Sequence, residues 1–393
     1  MIIKPRIRGF ICTTAHPKGC AAHVDEQIAE VRQRGAIANG TKKALVIGSS
    51  GGYGLASRIV AAEACGAATL GVSFEKAPEA NRTASAGWYN NRAFEARAHA
   101  KGLYAKTLDG DAFSDQMKAQ VIDVIKRDLG QIDLLVYSVA SPVRQHPRSG
   151  VLYRSAIKPI GEVYHVKTLH VDRGVVQEVD LEPATPDEIA ATVAVMGGED
   201  WEFWIDALQS AGVLAPGFRT ISFTYIGTEL TWPIYWHATL GKAKEDLDRA
   251  ARAITQQLAP LGGDARVAVL KFIVSQASSA IPVVPLYGSL LLRVMRDAGV
   301  DESAIEHIDR LFRTQLWSNA PRLDDAKRIR MDDVELTDAI QGEVKRRWPI
   351  VTTENLPDLA DLDGFRSDFL KIFGFGFAGV DYDEDVDPAL ATL

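Results

Sequence analysis

A phenol precedes two ammonium groups at short range in IYWHATLGKAK (residues 234–244), where Tyr235 lies seven positions before Lys242 and nine before Lys244. A tyrosine with an ordinary pKa near ~10 releases its proton poorly at neutral pH, and a neighbouring cation lowers that cost by stabilising the phenolate. The stretch therefore offers a general acid and a helper. On a regular helix, at ~100° per residue, Lys242 returns to within ~20° of Tyr235 while Lys244 falls near the opposite face. Lys244 becomes the partner only if Tyr235 lies ahead of the helix. Pro233 permits this, as does Thr239, a candidate cap for a helix beginning near Leu240. The plainer alternative is a buried aromatic followed by a solvated helix face. His237, beside the tyrosine, is either a second acid or a packing residue.

A second chemical pattern is the turn Gly48, Ser49, Ser50, Gly51, Gly52, Tyr53, Gly54, a GxxxGxG spacing between an apolar run and a helical one. Glycines there let backbone N–H groups approach a pyrophosphate, and the following helix N-terminus favours its negative charge. Phe74 and Glu75 close the next apolar run about twenty residues on, where an acidic side chain accepts hydrogen bonds from an adenosine ribose diol. A carboxylate at that place disfavours a 2′-phosphate, so NADH is expected over NADPH, with Lys76 as a counterweight.

Alternating strands and helices must position both patterns. KKALVIGSS (42–50), ATLGVSFE (68–75), LYAKTLDGDA, IDLLVYSVA (132–140), FRTISFTYIG (218–227) and RVAVLKFIV (266–274) read as near-continuous apolar strands. Between them lie predicted helices at 52–66, 92–101, 115–129 and 240–261, and a polar insertion holding Trp88 and Tyr89. Over 141–214 the alternation stops. GEVYHVKTLHV and GVVQEVDL read as β-hairpin, followed by helices at 186–196 and 200–212. The expected fold is α/β: one doubly wound, mostly parallel Rossmann-type sheet over 1–393, with an insertion at 141–214 and an extended helical C-terminal region at 277–393 on the substrate side. In such a sheet, ligands sit outside the carboxyl ends of the strands. Asp111, Ala112, Val139, Ala140, Val274, Ser275 and Gln276 are therefore further cofactor-binding candidates, and Tyr225 and Tyr235 reach the same edge.

Composition narrows the partners. The chain has 393 residues, 47% hydrophobic and 24% charged, with a net charge of −7 and no basic block, which argues against nucleic acid or a polybasic membrane patch and for a small molecule. Three cysteines, Cys12, Cys20 and Cys65, with no signal-peptide core at the N-terminus, fit a reducing cytoplasm. The uncharged run 272–292 is long enough to cross a bilayer. Pro282, Pro285 and its polar residues favour a buried strand, loop and helix beside an apolar ligand instead. Cys12, His16, Cys20 and His23 are zinc-type residues, but HPKG among them reads as a turn and no metal is expected. DYDEDVD from Asp381 has alternating carboxylates, yet Val386 stands where a calcium loop needs glycine and Thr392 where it needs glutamate.

The GxxxGxG turn with a later Tyr and Lys resembles the short-chain dehydrogenase/reductase superfamily. The chain is more specifically similar, over essentially its whole length, to the FabV-type enoyl-ACP reductases and trans-2-enoyl-CoA reductases. The matching stretches include MIIKPRIRGFICTTAHPKGC, LVIGSSGGYGLASR, GWYNNRAF, TVAVMGGEDWEFWIDAL, FTYIGTELTWPIYW, SQASSAIPVVPLY and FGFGFAGVDYD. Departures are small ones, at Ser50-Gly51 and at Ser275, where threonine is expected. The resemblance implies a YxxxxxxxxK pair falling on Tyr235 and Lys244, a substrate contact at Tyr225, NADH as cofactor, and a monomer. It also implies reduction of the C2=C3 bond of an enoyl thioester carried by CoA or acyl carrier protein. A ketone or alcohol dehydrogenase of the same scaffold, or a catalytically silent NADH sensor, are the competing functions.

Overall fold

A computed structural model describes residues 1–9 and 11–389, so Thr392 lies outside the described residues. Seven parallel strands form the central sheet: β1 Lys43–Ile47, β2 Ala68–Ser73, β3 Ala105–Asp109, β4 Ile132–Tyr137, β5 Leu214–Thr224, β6 Asp264–Val269 and β7 Ile329–Arg330. Their spatial order is β3-β2-β1-β4-β5-β6-β7. The winding reverses between β1 and β4, which opens a crevice at their carboxyl ends. The short β7 has no counterpart among the expected strands, because a two-residue strand carries no periodicity.

Apolar strands on both sides need covering layers, and the helices supply them. On one face α1 (Pro17–Arg34), α2 (Gly52–Cys65), α3 (Ala86–Ala100) and α10 (Ala304–Leu311) pack through Val24, Ile59, Phe94 and Ile308. On the other, α4 (Asp115–Val124), α6 (Glu199–Ser210) and α7 (Thr239–Leu258) pack through Val121, Trp204 and Ile254.

Several boundaries differ from the sequence expectation for identifiable reasons. α3 begins at Ala86, so Trp88 and Tyr89 are helical and not part of a polar insertion. Tyr89 is buried and donates its hydroxyl proton to the Pro388 carbonyl, a partner that local sequence could not supply. HPKG is no turn: it starts α1, with the Gly19 N–H donating to His16 Nδ1 and Pro17 in the first helical turn. The α7 cap is Ala238 rather than Thr239, whose hydroxyl instead donates to the Ala156 carbonyl at 2.5 Å.

Between β4 and β5 lie two antiparallel hairpins, Val143–Gln145 with Leu152–Arg154 and Tyr164–His170 with Val175–Leu181, then α5 (Pro186–Met196) and α6. Val166 of the second hairpin packs on Ile234 and Val283, which joins this segment to the loop that carries Tyr235. The uncharged run folds as α8 (Gln276–Ala280) and α9 (Val284–Asp297). Val283 between them has φ 74, a strained value for a β-branched residue. No helix among the described residues is long and apolar enough to cross a membrane. α11 (Asp338–Arg347) and helices at Leu356–Leu359 and Leu362–Lys371 complete the C-terminal region and share an apolar cluster with α9.

Candidate active site

The turn from β1 to α2 is shaped by close backbone approach. A Cβ on Gly48 would lie 1.9 Å from the Ser138 carbonyl oxygen, and one on Gly54 would lie 1.9 Å from the Gly48 carbonyl oxygen. Only glycine lets the turn close between β1 and the end of β4. At Gly51, ahead of α2, a Cβ would meet nothing within 4 Å. The helix thus opens onto free space with no acidic residue in its first turn, a seat suited to a pyrophosphate. Ser49 is buried and donates to the Val72 carbonyl, while Ser50 donates to Glu75 Oε1 at 2.6 Å. Glu75 Oε2 has no hydrogen-bond partner among the described residues, so one carboxylate oxygen remains for a diol. The Tyr53 side chain turns inward, donating to the Lys271 carbonyl at 2.9 Å and packing on Phe223 and His307, so this residue offers the turn only its backbone. Phe74 is 80% exposed, an uncovered aromatic beside Glu75.

The remaining cofactor candidates lie along the same edge. Asp111 turns the chain after β3 by accepting from the Phe113 N–H, and the Ala112 carbonyl accepts from Trp204 Nε1 and Lys118 Nζ. Lys118 is paired at 2.8 Å with the buried Asp200, which also accepts from the Tyr137 hydroxyl. Burial raises the Asp200 pKa, and Lys118 opposes that shift. Residues of the 141–213 segment therefore hold the loop after β3 in place. Val139 is half-buried and Ala140 exposed just beyond β4. Val274 and Ser275 are half-buried, Gln276 is exposed, and Ser275 caps α8 by accepting from the Ser278 N–H at 3.0 Å.

Tyr225 follows β5 directly, and Tyr235 lies within a series of turns that precedes α7. Gly227, at φ 74, folds this loop so tightly that a Cβ would lie 2.3 Å from Thr231 Oγ1. The Thr231 carbonyl then accepts from the Tyr235 N–H at 2.9 Å. Gly241 lets the first turns of α7 press on the Trp236 carbonyl, 1.7 Å from where a Cβ would be. Because Tyr235 is not helical, the regular-helix geometry that favours Lys242 does not apply to it. Lys242 is exposed and paired with Glu245 at 2.9 Å. Lys244 is half-buried and its ammonium makes no hydrogen bond or ion pair among the described residues. Burial pushes its pKa down to about 8, against the attraction of Asp248.

The two tyrosines meet edge to face, with ring centroids 5.2 Å apart at 84°. Tyr235 keeps 8% of its surface exposed, and its hydroxyl has no hydrogen-bond partner among the described residues. Burial raises its pKa, so the proton stays on the oxygen. The Tyr225 hydroxyl instead donates to Glu335 Oε1 at 2.7 Å. Glu335 sits in the polar run MDDVELTD, which in sequence looks like solvated surface, so no signal marked it. His237 packs against Trp232 at 5.4 Å. Among the described residues, no group of three or more His, Cys, Asp or Glu could hold a metal, and Cys12, Cys20 and Cys65 are free and buried.

The chain is similar to known proteins over its whole length. Residues 2–80 match the NAD(P)H binding domain of trans-2-enoyl-CoA reductase, and 82–317 match the trans-2-enoyl-CoA reductase catalytic region. Residues 323–386 match a model described as an enoyl reductase FAD binding domain. An enoyl-[acyl-carrier-protein] reductase [NADH] of Saccharophagus degradans is 58% identical, covering 100% of this chain and 99% of its own. The relative from Aeromonas salmonicida named FabV is 55% identical over 99% and 98%. Among solved structures, Treponema denticola trans-2-enoyl-CoA reductase with NAD superposes at TM-score 0.95 and 45% identity, covering 98% of each chain. The Clostridium acetobutulicum enzyme with NADH gives 0.96 and 39%, covering 100% of this chain and 99% of that one. Residues 323–386 offer a flavin pyrophosphate no open N-terminus on a helix of eight or more residues. The two such helices there have N-termini closed by the side chains of Thr337 and Asp361, and Asp361 puts a carboxylate where a phosphate would bind.

Proposed function

The chain belongs to the trans-2-enoyl-CoA reductase family, and from that premise we propose that it reduces the C2=C3 bond of trans-2-enoyl thioesters with NADH, using Tyr235 as proton donor and Lys244 as its support. This is the final reductive step of fatty-acid elongation. NADH supplies the hydride that is added at C3. The open glycine turn seats the pyrophosphate, and Glu75 Oε2 accepts from the adenosine ribose. Hydride addition at C3 leaves an enolate on the thioester oxygen and calls for a proton at C2. Tyr235 gives its proton to the enolate oxygen, the resulting enol tautomerises so that the proton is placed on C2 and the thioester carbonyl is restored, and the phenolate regains a proton from solvent. Lys244, an unpaired ammonium, holds the cofactor ribose and stabilises the phenolate that forms. Tyr225 lies against the substrate carbonyl, and the partly buried apolar residues on either side of α8, Val274 and Ile281, receive the acyl chain.

The observation that carries this reading is the contrast between two adjacent phenols: Tyr235 has an uncommitted O–H, while that of Tyr225 is bound to Glu335. Spectrophotometric NADH oxidation with crotonyl-CoA tests it against the ketone-reductase alternative. Turnover of acetoacetyl-CoA at equal or higher rate would defeat it. Relatives named for acyl carrier protein are more similar to this chain than the solved CoA reductases above, which favours an acyl-carrier-protein substrate. Rates on matched enoyl-CoA and enoyl-ACP decide the matter. Three free buried cysteines support action in a reducing cytoplasm. A monomer is expected, with a sedimentation mass near 42.8 kDa.

A further inference from the structure

Glu335 is fully buried, yet it joins three parts of the substrate side. Its Oε1 receives the hydroxyls of Tyr225 at 2.7 Å and of Tyr287, on α9, at 3.0 Å. Its Oε2 receives the Phe272 N–H at 2.6 Å, at the start of the chain leading to Val274–Gln276. The proton directions follow from the surroundings. Gln341 Nε2 donates to the Glu335 backbone carbonyl at 2.8 Å, an acceptor only, and the same nitrogen reaches the Tyr287 oxygen at 3.1 Å. Tyr287 therefore accepts from Gln341 and must spend its own proton on Glu335. With the Phe272 N–H a fixed donor on Oε2 and the Tyr287 proton on Oε1, the carboxyl group accepts at both of its oxygens. Burial raises the Glu335 pKa, while the Phe272 N–H, Tyr225, Lys271 and Tyr287 oppose that shift.

A phenol has one proton. Once Tyr225 has given its proton to Glu335, it has only a lone pair and its ring to offer a substrate, and that ring abuts Tyr235 edge to face. We propose that Glu335 is a positioning residue for the reduction: its carboxylate withdraws the Tyr225 proton from the reacting site and fixes the Tyr225–Tyr235 pair, so that Tyr235 alone presents a free O–H to the enolate. This rests on the assignment of Tyr235 as the proton donor.

Glu335→Gln is the informative change. Its amide oxygen retains the Phe272 N–H while its NH₂ faces the two phenol oxygens, which reverses the hydrogen bond at Tyr225 and frees that proton. The test measures kcat and KM for crotonyl-CoA, NADH affinity by fluorescence and Tm, for Glu335→Gln, Tyr225→Phe and the double variant. Glu335→Gln is expected to lower kcat/KM for crotonyl-CoA by roughly 10- to 100-fold, with NADH affinity within about twofold. In the Tyr225→Phe background it should add less than about a twofold loss, because the residue through which it acts is gone. Losses that multiply, or an unchanged kcat/KM in Glu335→Gln, overturn the proposal. Should Glu335→Gln not fold, Glu335→Asp decides: it keeps the charge but draws the carboxylate back by one methylene from Tyr225, so kcat/KM for crotonyl-CoA should fall at least about tenfold in the otherwise unchanged chain and by less than about twofold in the Tyr225→Phe background. Equal losses in both backgrounds would then overturn the proposal. Tyr235→Phe is the reference. If it retains full turnover, the assignment of the proton donor fails and the role of Glu335 with it; if it is inactive while Glu335→Gln is normal, only the role of Glu335 fails.

Discussion

The proposed cofactor edge and the proposed catalytic wall share one rim of the sheet but are built by opposite means. At the cofactor edge, seven consecutive residues, Gly48 to Gly54, form the turn, and the contacts that define it are backbone against backbone. At the wall, Tyr225 and Glu335 are 110 residues apart in sequence and meet through one carboxylate, and Tyr287 joins them from a third segment. Side chains can therefore be exchanged at the turn, provided the glycines stay, whereas the wall depends on individual functional groups. Polar groups buried together are costly to leave half-paired, which makes the wall sensitive to the loss of a single oxygen.

The largest effect should come from the wall. Tyr235→Phe is expected to lower kcat by about 10²- to 10⁴-fold with NADH affinity nearly intact. Steady-state rates with a separate NADH titration would check this, and near-normal turnover would erase the distinction between the two regions. Lys244→Ala should damage both sides, weakening NADH binding and slowing turnover by roughly 10- to 100-fold, as for loss of a charged hydrogen bond. Lys242→Ala, removing only an exposed ion pair, should change neither by more than about twofold. The reverse ranking would return the pair to regular-helix geometry. Glu75→Ala acts at the edge alone, where NADH affinity should fall by roughly tenfold and its advantage over NADPH narrow. KM ratios for the two cofactors measure this, and an unchanged ratio removes Glu75 from the site.

The smallest effect is a pH limb. A lysine whose pKa is depressed by burial carries its charge only below that pKa, so kcat/KM for NADH should be flat at lower pH and fall as pH rises through about 8. Lys242→Ala should keep the limb and Lys244→Ala should lose it. The same depression affects stability. Between about 8 and the ordinary lysine value the unfolded chain binds more protons than the folded one, so this group's unfavourable contribution is full below about 8 and relieved as pH rises above it.

The sequence by itself determined what depends on neighbours along the chain. Apolar runs ending in turns marked six of the seven parallel strands, and the spacing of Gly48, Gly52 and Gly54 marked the strand-to-helix turn, because φ and backbone approach are local constraints. The resemblance added the family, which length and composition could not. Tertiary structure decided the rest. Tyr89 is buried on α3 because a distant carbonyl receives its hydroxyl, and HPKG became a helix start because the His16 side chain accepts from the Gly19 N–H ahead of it. Thr239 binding Ala156 and Gly241 resting on Trp236 set where α7 begins, which leaves Lys242 exposed and Lys244 half-buried. Glu335 lay beyond any periodicity or motif. A charged residue in a polar run looks solvated until the fold brings two phenols and an N–H to it, and hydrogen bonds across 110 residues leave no imprint on local spacing.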